Sequence, residues 1–428
     1  MTVAVPQAQA TLTEWLDYWS SIHVTAIDLG LERIRPVAEY LQLLAPTGHV
    51  VTVAGTNGKG STTTIISAIY QAAGQRVGLY QSPHITHFNE RVRIDGQPVN
   101  DALLIAAFEQ VEAARVACDL PLSFFEATTL AAFVIFAQQQ CDVWVLEVGL
   151  GGRLDAVNLI DPNVAVITNI GLDHTDWLGD TIEKIAFEKA GIMRTGIPVV
   201  WGDPTERPAV IDQRARDLGC RLICAGQDFL ATLDAQGLYY AAPACTLHLP
   251  VPQLAAVNVA SAITAVFVGP IAVSAQAIAT GMTSAHIAGR FEHRLWHDRD
   301  VILDVAHNVH GMRFLWQQIG QWKTQHQRET AKIHLVFSML DDKDIEGVVQ
   351  MAAADVDHWH LAALTVPRAA SLARLQQAVL PYAQSSYATL KHALHGAIQQ
   401  SQRDDLIVVC GSFYALEAVW EAITQHEQ

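Results

Sequence analysis

Residues 50–62, Val-Val-Thr-Val-Ala-Gly-Thr-Asn-Gly-Lys-Gly-Ser-Thr, constrain the fold more than any other stretch of the chain. A β-branched run, then glycines, a lysine and two hydroxyls reads as strand, tight turn and helix N-terminus. That is the unit with which α/β folds hold phosphate. Glycines let successive N–H groups aim at one anion. Lys59 adds a point charge for the β- and γ-phosphates, and Ser61 and Thr62 open a helix whose positive end favours anions. The spacing departs from the standard Walker loop, which sets four residues between its first glycine and the Gly-Lys pair. Here only Thr56 and Asn57 separate Gly55 from Gly58, and Gly60 stands between Lys59 and the hydroxyl. A glycine turn with no ligand is the alternative reading; the strand, the lysine and the helix weigh against it.

Short apolar runs at 77–80, 143–148, 164–168 and 199–201 alternate with helical patterns. That order predicts a mostly parallel sheet covered on both faces. Residues 12–44 read as two helices joined by a turn at Ile27-Asp28-Leu29-Gly30-Leu31. The texture changes between 228 and 252, where the pieces 237–241 and 246–249 suggest antiparallel strands, followed by a helix with Asn258 near its start. A second βα series has strands at 301–305, 333–337, 358–364 and 406–409. The expected fold is α/β: an N-terminal phosphate-loop domain over 1–294 with a mostly parallel sheet, and a smaller Rossmann-like α/β domain over 295–428.

The chain has 428 residues, too many for one compact core, and a formal net charge of −16. Bulk binding to nucleic acid or to anionic membranes is therefore not expected; phosphate must be met in a local pocket. Six scattered cysteines form no zinc pattern and read as reduced thiols. The start, MTVAVPQAQATLTEW, lacks the basic and apolar regions of a signal peptide, and the apolar run 130–137 is too short to span a bilayer. A cytoplasmic monomer acting on small molecules is expected.

Gly55-Thr-Asn-Gly-Lys-Gly-Ser61 resembles the loop of the Mur-type ligases, and its Gly-Ser ending resembles their folylpolyglutamate/dihydrofolate synthase branch. Other segments resemble the same family in the same order: Gln81-Ser-Pro-His84, Gly149-Leu-Gly-Gly-Arg-Leu-Asp155, Asp173-His174, Glu188-Lys189-Ala190, Gly289-Arg290-Phe291-Glu292, Asp304-Val-Ala-His-Asn308 and Gly411-Ser412. The resemblance runs from about residue 12 to the C-terminus and departs at Val309, where the family pattern has proline.

The resemblance implies ATP-dependent ligation of L-glutamate to dihydropteroate and to folates through an acyl phosphate, with ATP and two Mg²⁺ ions. ATP would meet Gly58, Lys59, Gly60, Ser61, Asn258, Arg290 and Asp304. The metal ligands would be Ser82, Glu147, His174 and Lys189, the last as N6-carboxylysine. Lys59, Glu147, His174 and Lys189 form the implied catalytic set. Pteroate would lie against Ile27, Asp28, Leu29, Gly30, Ser123, Phe124, Phe125, Glu126, Leu154, Asp155 and Ala156, and glutamate near His307 and Ser412.

Read as residues alone, several of these stay open. Glu147 ends an apolar strand, where a carboxylate is costly unless paired or metal-bound, and strand tips are where open α/β sheets place ligands. Ser82 alone reads as a turn residue, Lys189 as a helix-surface lysine, and Phe124 and Phe125 as either core or flat surface for a ring. Two rivals remain: a Mur-type ligase acting on a nucleotide-linked precursor, and a nucleotide-binding regulator without ligase chemistry.

Overall fold

The computed structural model describes residues 4–7, 9–22, 29–234, 236–243 and 245–424. Its contacts divide the chain into two compact units, Met1–His286 and Ile287–Gln428. The division falls ahead of the 294/295 boundary expected from sequence. The reason is local: strand Glu292–Trp296 pairs antiparallel with Arg299–Leu303 and so belongs with the second unit.

The first unit is built on strands β1 (His49–Ala54), β2 (Val77–Tyr80), β3 (Val92–Ile94), β4 (Gln97–Pro98), β5 (Val143–Glu147), β6 (Val164–Ile167), β7 (Pro198–Trp201) and β8 (Arg221–Cys224). They lie in the order β4-β3-β2-β5-β1-β6-β7-β8. Only the β3 and β4 pairings are antiparallel. Every residue of β1, β2, β5 and β6 is buried, which is why these strands read as mainly apolar runs rather than alternating ones. β1 runs parallel between β5 and β6, so the turn after it lies among the C-terminal tips of the central strands, where open sheets place ligands.

Helix Leu12–Ser21 starts with a capping box of Thr11 and Glu14 and buries Trp15 and Trp19 against Phe108. Strands β9 (Leu230–Asp234), β10 (Gly237–Ala242) and β11 (Cys245–Leu249) form a separate antiparallel sheet. Two of them match the sequence reading; β9 is largely exposed and carries too little apolar pattern to be seen beforehand.

The second unit carries β12 (Glu292–Trp296), β13 (Arg299–Leu303), β14 (Ile333–Phe337), β15 (His358–Leu361), β16 (Gln384–Ser386) and β17 (Leu406–Cys410), in the order β12-β13-β17-β14-β15-β16. All its pairings are parallel except β12 with β13. Among the described residues no helix is long and apolar enough to cross a membrane.

This sheet also buries a hydrogen-bonded chain. His334 Nδ1 and His360 Nε2 lie 3.0 Å apart, and His360 Nδ1 is 3.1 Å from the Tyr387 hydroxyl. Burial, then the neighbouring His358 and His334, pushes the His360 imidazole down from 6.5 to about 3. Burial also lowers His334, opposed by Asp405. Between pH 6.5 and about 3 the unfolded His360 binds a proton that the folded one refuses. Stability therefore falls as pH drops through this window, by up to about 1.4 kcal/mol per pH unit for one histidine. Replacing His360 by Phe should lower stability at about pH 7.5 and flatten its decline toward about pH 5.5, as read from urea unfolding. An unchanged slope would contradict this account.

Candidate active site

The phosphate loop is held from outside. Gly58 adopts φ +81 and caps the helix Lys59–Ala72, so the helix begins two residues before the Ser61 expected from sequence. A Cβ on Gly58 would lie 2.5 Å from Asn258 Oδ1, so glycine is required there for both conformation and space. The same contact places buried Asn258, near the start of helix Ala256–Val268, against the loop. The residues after β6 grip the tip: Asn169 Oδ1 accepts from the Asn57 N–H at 2.9 Å, while the Thr168 hydroxyl and Asn169 Nδ2 donate to the Asn57 carbonyl at 2.6 and 3.1 Å. The Thr56 N–H donates to the Asn169 carbonyl, and the Gly171 N–H donates to Thr56 Oγ1.

Two cationic groups meet at one oxygen. Lys59 Nζ donates to the Gly55 carbonyl at 2.9 Å and to that of Thr56 at 3.3 Å. Lys189 Nζ donates to the same Gly55 carbonyl at 3.0 Å. Lys189 lies on helix Ile182–Ala190 and is buried. The helix-surface reading of Lys189 therefore fails, because its face of the helix turns toward the loop. Burial and then Lys59 push its amine down from 10.5 to about 7, opposed by Asp173 and Asp155. A large share of the amine is thus unprotonated near neutral pH, the form that can add to CO₂. Asp155 is buried nearby, and desolvation raises its carboxyl to about 6 against the N–H groups of Leu150, Val157 and Gly149 and the Lys59 charge.

The other expected metal ligands sit on the same edge of the sheet. Ser82 follows β2, Glu147 ends β5 opposite Val53, and His174 follows β6. Glu147 is buried. His174 takes φ +51 as the cap of a single turn, Thr175–Leu178, with its N–H donating to Asp173 Oδ1. Among the described residues no three His, Cys, Asp or Glu side chains converge as a metal site. The expected set has only one Glu and one His; a serine hydroxyl and a carbamate supply the rest. Oxygen-rich donors beside a phosphate loop suit a hard divalent cation, which keeps water and phosphate oxygens in its shell.

Three positioning residues were not singled out from the sequence. Gln81 Nε2 lies 2.9, 2.8 and 2.9 Å from Gly60 O, Thr63 Oγ1 and Thr64 Oγ1, tying the Ser82 segment to the first turns of the loop helix. Thr168 and Asn169 are the other two. The signal was available, since both follow an apolar strand as polar residues, but only His174 further along drew attention.

On the folate side, Ser123 and Glu126 form a capping box on helix Phe124–Gln138. Glu126 accepts from the Ser123 N–H at 2.7 Å and from Arg33 Nη2 at 3.1 Å, each at a different oxygen. The carboxylate expected to face a pterin ring is therefore engaged in capping and pairing. Phe124 packs edge-on to Phe88 with centroids 6.1 Å apart, beneath the Arg91 guanidinium. Phe125 lies 6.2 Å from Tyr80 and fills the space above Gly149. Both residues are only partly buried. Asp155 caps the turn Ala156–Leu159, and Leu154 accepts from the Gly30 N–H at 3.2 Å, which brings the Leu29–Gly30 segment beside it. Ile27 and Asp28 lie outside the described residues.

In the second unit, Asp304 accepts from the Phe291 and Ala306 N–H groups, both at 2.8 Å. Burial raises its carboxyl and Arg290 opposes the shift. The Arg290 guanidinium lies 5.6 Å from the Phe413 ring centre. His307 Nδ1 lies 2.8 Å from the Val305 carbonyl, with its ring 6.4 Å from Phe413. Arg290, Asp304 and His307 thus form one cluster. The Ser412 hydroxyl accepts from the Ala415 N–H at 3.0 Å and caps the last helix, with its own proton still able to donate. Val309 is the first residue of helix Val309–Gln325, capped by Asn308. Proline is favoured at that position, and valine fills it without loss of the helix.

Two family models match: the Mur ligase middle domain over residues 53–248 and the Mur ligase glutamate ligase domain over residues 289–413. The dihydrofolate synthase/folylpolyglutamate synthase of Escherichia coli (strain K12) is 40% identical over 419 residues, covering 98% of this chain and 97% of that protein. The chain belongs to the dihydrofolate synthase/folylpolyglutamate synthase family of Mur ligases. The solved structure of E. coli FolC in complex with DHPP and ADP superposes with TM-score 0.92 at 38% identity, covering 99% of this chain and all of that one. A bifunctional folylpolyglutamate synthase/dihydrofolate synthase with Mn, AMPPNP and L-glutamate bound gives TM-score 0.90 at 40% identity over 98% of this chain. Family membership disposes of the regulator and of the nucleotide-linked precursor as first readings.

Proposed function

We propose that this ATP-dependent ligase joins the amine of L-glutamate to the carboxylate of dihydropteroate and of folates, releasing ADP and phosphate. The observation that carries the residue roles is the pair Lys59 and Lys189 converging on the Gly55 carbonyl. Lys59 with the loop N–H groups and the helix end forms an anion site, and the Lys189 amine, pushed down to about 7, reaches the same loop in the form that can add to CO₂.

In this reading the triphosphate lies on Gly58, Lys59, Gly60 and Ser61, with the adenine beside Asn258. Ser82 and Glu147 would hold one divalent cation; Glu147, His174 and a carbamate on Lys189 would hold a second. Such ions, when bound, neutralise charge on the transferring phosphoryl group. The chain's own residues position and screen. Lys59 sets its charge against phosphate oxygens. Gln81, Thr168 and Asn169 hold the loop's shape, so its N–H groups need not reorganise during transfer. Phe124, Phe125 and the Leu154–Ala156 turn hold the ring system. A substrate carboxylate oxygen bonds to the γ-phosphorus as the bond to ADP breaks. The glutamate nitrogen then bonds to the acyl carbon, loses a proton, and phosphate leaves. The working form is a monomer in the cytoplasm.

Heavy oxygen placed in the substrate carboxylate should appear in the released phosphate, and ADP release should require glutamate. Unlabelled phosphate would refute the acyl phosphate. Assays with dihydropteroate and with tetrahydrofolate would then report each folate activity separately.

The ring site has its own test. A Cβ on Gly149 would lie 2.5 Å from Phe125 Cζ. Gly149→Ala should therefore displace Phe125, cost about 1–3 kcal/mol of stability by overpacking, and raise KM for dihydropteroate while leaving KM for ATP close to that of the parent. Equal changes in both would remove Phe125 from the ring site.

A further inference from the structure

Glu147 and Lys189 come from distant places in the chain: one ends β5, the other lies in the last turn of helix Ile182–Ala190. The turn after β5 joins them. Its glycine lets it press on the helix end, since a Cβ on Gly152 would lie 2.8 Å from the Glu188 carbonyl oxygen and 3.2 Å from Lys189 Cα. From the other side, a Cβ on Gly191 would overlap Arg153. The Arg153 N–H donates to the Glu188 carbonyl at 2.8 Å, and its Nε and Nη2 donate to Glu188 Oε1 at 3.1 and 2.9 Å. Asn158 closes the joint. Its Nδ2 donates to the Arg153 carbonyl and to the Gly191 carbonyl, both at 3.0 Å, so one amide spans the turn and the helix end. Its Oδ1 accepts from Arg194 Nη2 at 3.0 Å. Arginine can only donate, which fixes the way the amide faces. Asn158 is buried.

We propose that Asn158 is a positioning residue for Lys189: by clasping the turn to the helix end, it sets the spacing at which a carbamate on Lys189 and the Glu147 carboxylate meet one divalent cation. This role rests on the carbamate reading above and deepens it. In that step the Lys189 nitrogen bonds to the carbon of CO₂ and gives up a proton, and the new anionic oxygens need the cation for their stability. Metal ligation tolerates only about 0.2 Å of error in distance, so two ligands on separate elements need those elements locked together. Groups that orient ligands from behind typically change metal affinity or activity about 10–100-fold when lost. The Arg153–Glu188 pair cannot supply the lock alone, because the Arg153 side chain is 42% exposed and water competes for it. Asn158 works where water is excluded. Arg194 Nη1 also donates to the Gly191 carbonyl, at 3.1 Å, so losing Asn158 loosens the joint without stranding that oxygen.

The probe is carbon-13 bicarbonate, titrated into the full chain with Mg²⁺ and ADP present, and the carbamate carbon is followed by NMR. The parent should give a saturable signal that Lys189→Ala lacks. Asn158→Asp keeps the side chain's size and an acceptor for Arg194 but cannot donate to both carbonyls. It should raise the bicarbonate needed for half-occupancy by about tenfold or more. Gly191→Ala leaves Asn158 untouched; its φ of −62 accepts alanine, while the methyl would push Arg153 off the helix end. It should raise the same value by about threefold or more. Excess bicarbonate should restore part of each variant's kcat, which a general loss of structure would not allow. Unfolding midpoints report folding, and if Asn158→Asp does not fold, Gly191→Ala decides alone. Half-occupancy at the parent's bicarbonate concentration in the folded variants overturns the positioning role and leaves the carbamate standing. No carbamate signal in the parent overturns both.

Discussion

Lys189→Ala should lower kcat by about 10³-fold, with KM for ATP changed far less. Part of that loss should return on adding acetate or propionate. The reasoning starts from position. Lys189 is buried, its Nζ lies 3.0 Å from the Gly55 carbonyl, and its amine is pushed down to about 7. A permanently charged lysine there would sit against Lys59 with no gain. A carbamate reverses the sign: the nitrogen bonds to the carbon of CO₂, a proton leaves, and an anionic oxygen pair takes the lysine's place. The parent enzyme should accordingly lose rate in bicarbonate-depleted buffer and regain it when bicarbonate is restored, while Lys189→Ala should not respond. A variant whose kcat stays within about threefold of the parent would show that the lysine is only a strut for the loop.

Glu147→Gln is the second large effect. Glutamine keeps the size of the side chain and removes its charge. Glu147 is buried at the tip of β5, beside the strand that leads into the phosphate loop. The isostere fills the same buried volume, so the variant should fold, as its unfolding midpoint would show. Activity should not survive with it: kcat should fall about 10²–10³-fold, and raising Mg²⁺ should recover little of it. Lost turnover in a folded variant would mark a residue kept for chemistry. Full activity in the variant would move the metal elsewhere.

Sequence showed some of this plainly and some not at all. β2 and β14 match their expected ranges residue for residue, because strands buried on both faces are mostly apolar, with His334 the one polar residue in the two. β3, β4, β8, β12 and β16 were missed; they are short, or pair on one side only, and their residues mix polar and apolar. Lys59 was legible because glycines and a lysine after a strand have few other uses. Lys189 was legible only by resemblance, since its burial depends on a helix packing back onto a loop 134 positions earlier. Glu126 also has a local role that the sequence reading did not name. The pattern Ser-x-x-Glu at a helix start is a capping box, and Arg33 joins it across 93 positions. Gln81 went unnoticed because an amide's importance lies in what it touches.

The grip of Thr168 and Asn169 on Asn57 has a consequence for how nucleotide is met. A loop so tethered arrives already assembled, and little of the binding energy is spent on ordering it. Association should therefore show a modest entropy loss for its contact area. Cutting the tether with Asn169→Ala would return that ordering cost to the moment of capture, visible calorimetrically as weaker, more entropy-opposed binding with the chemical groups all still in place.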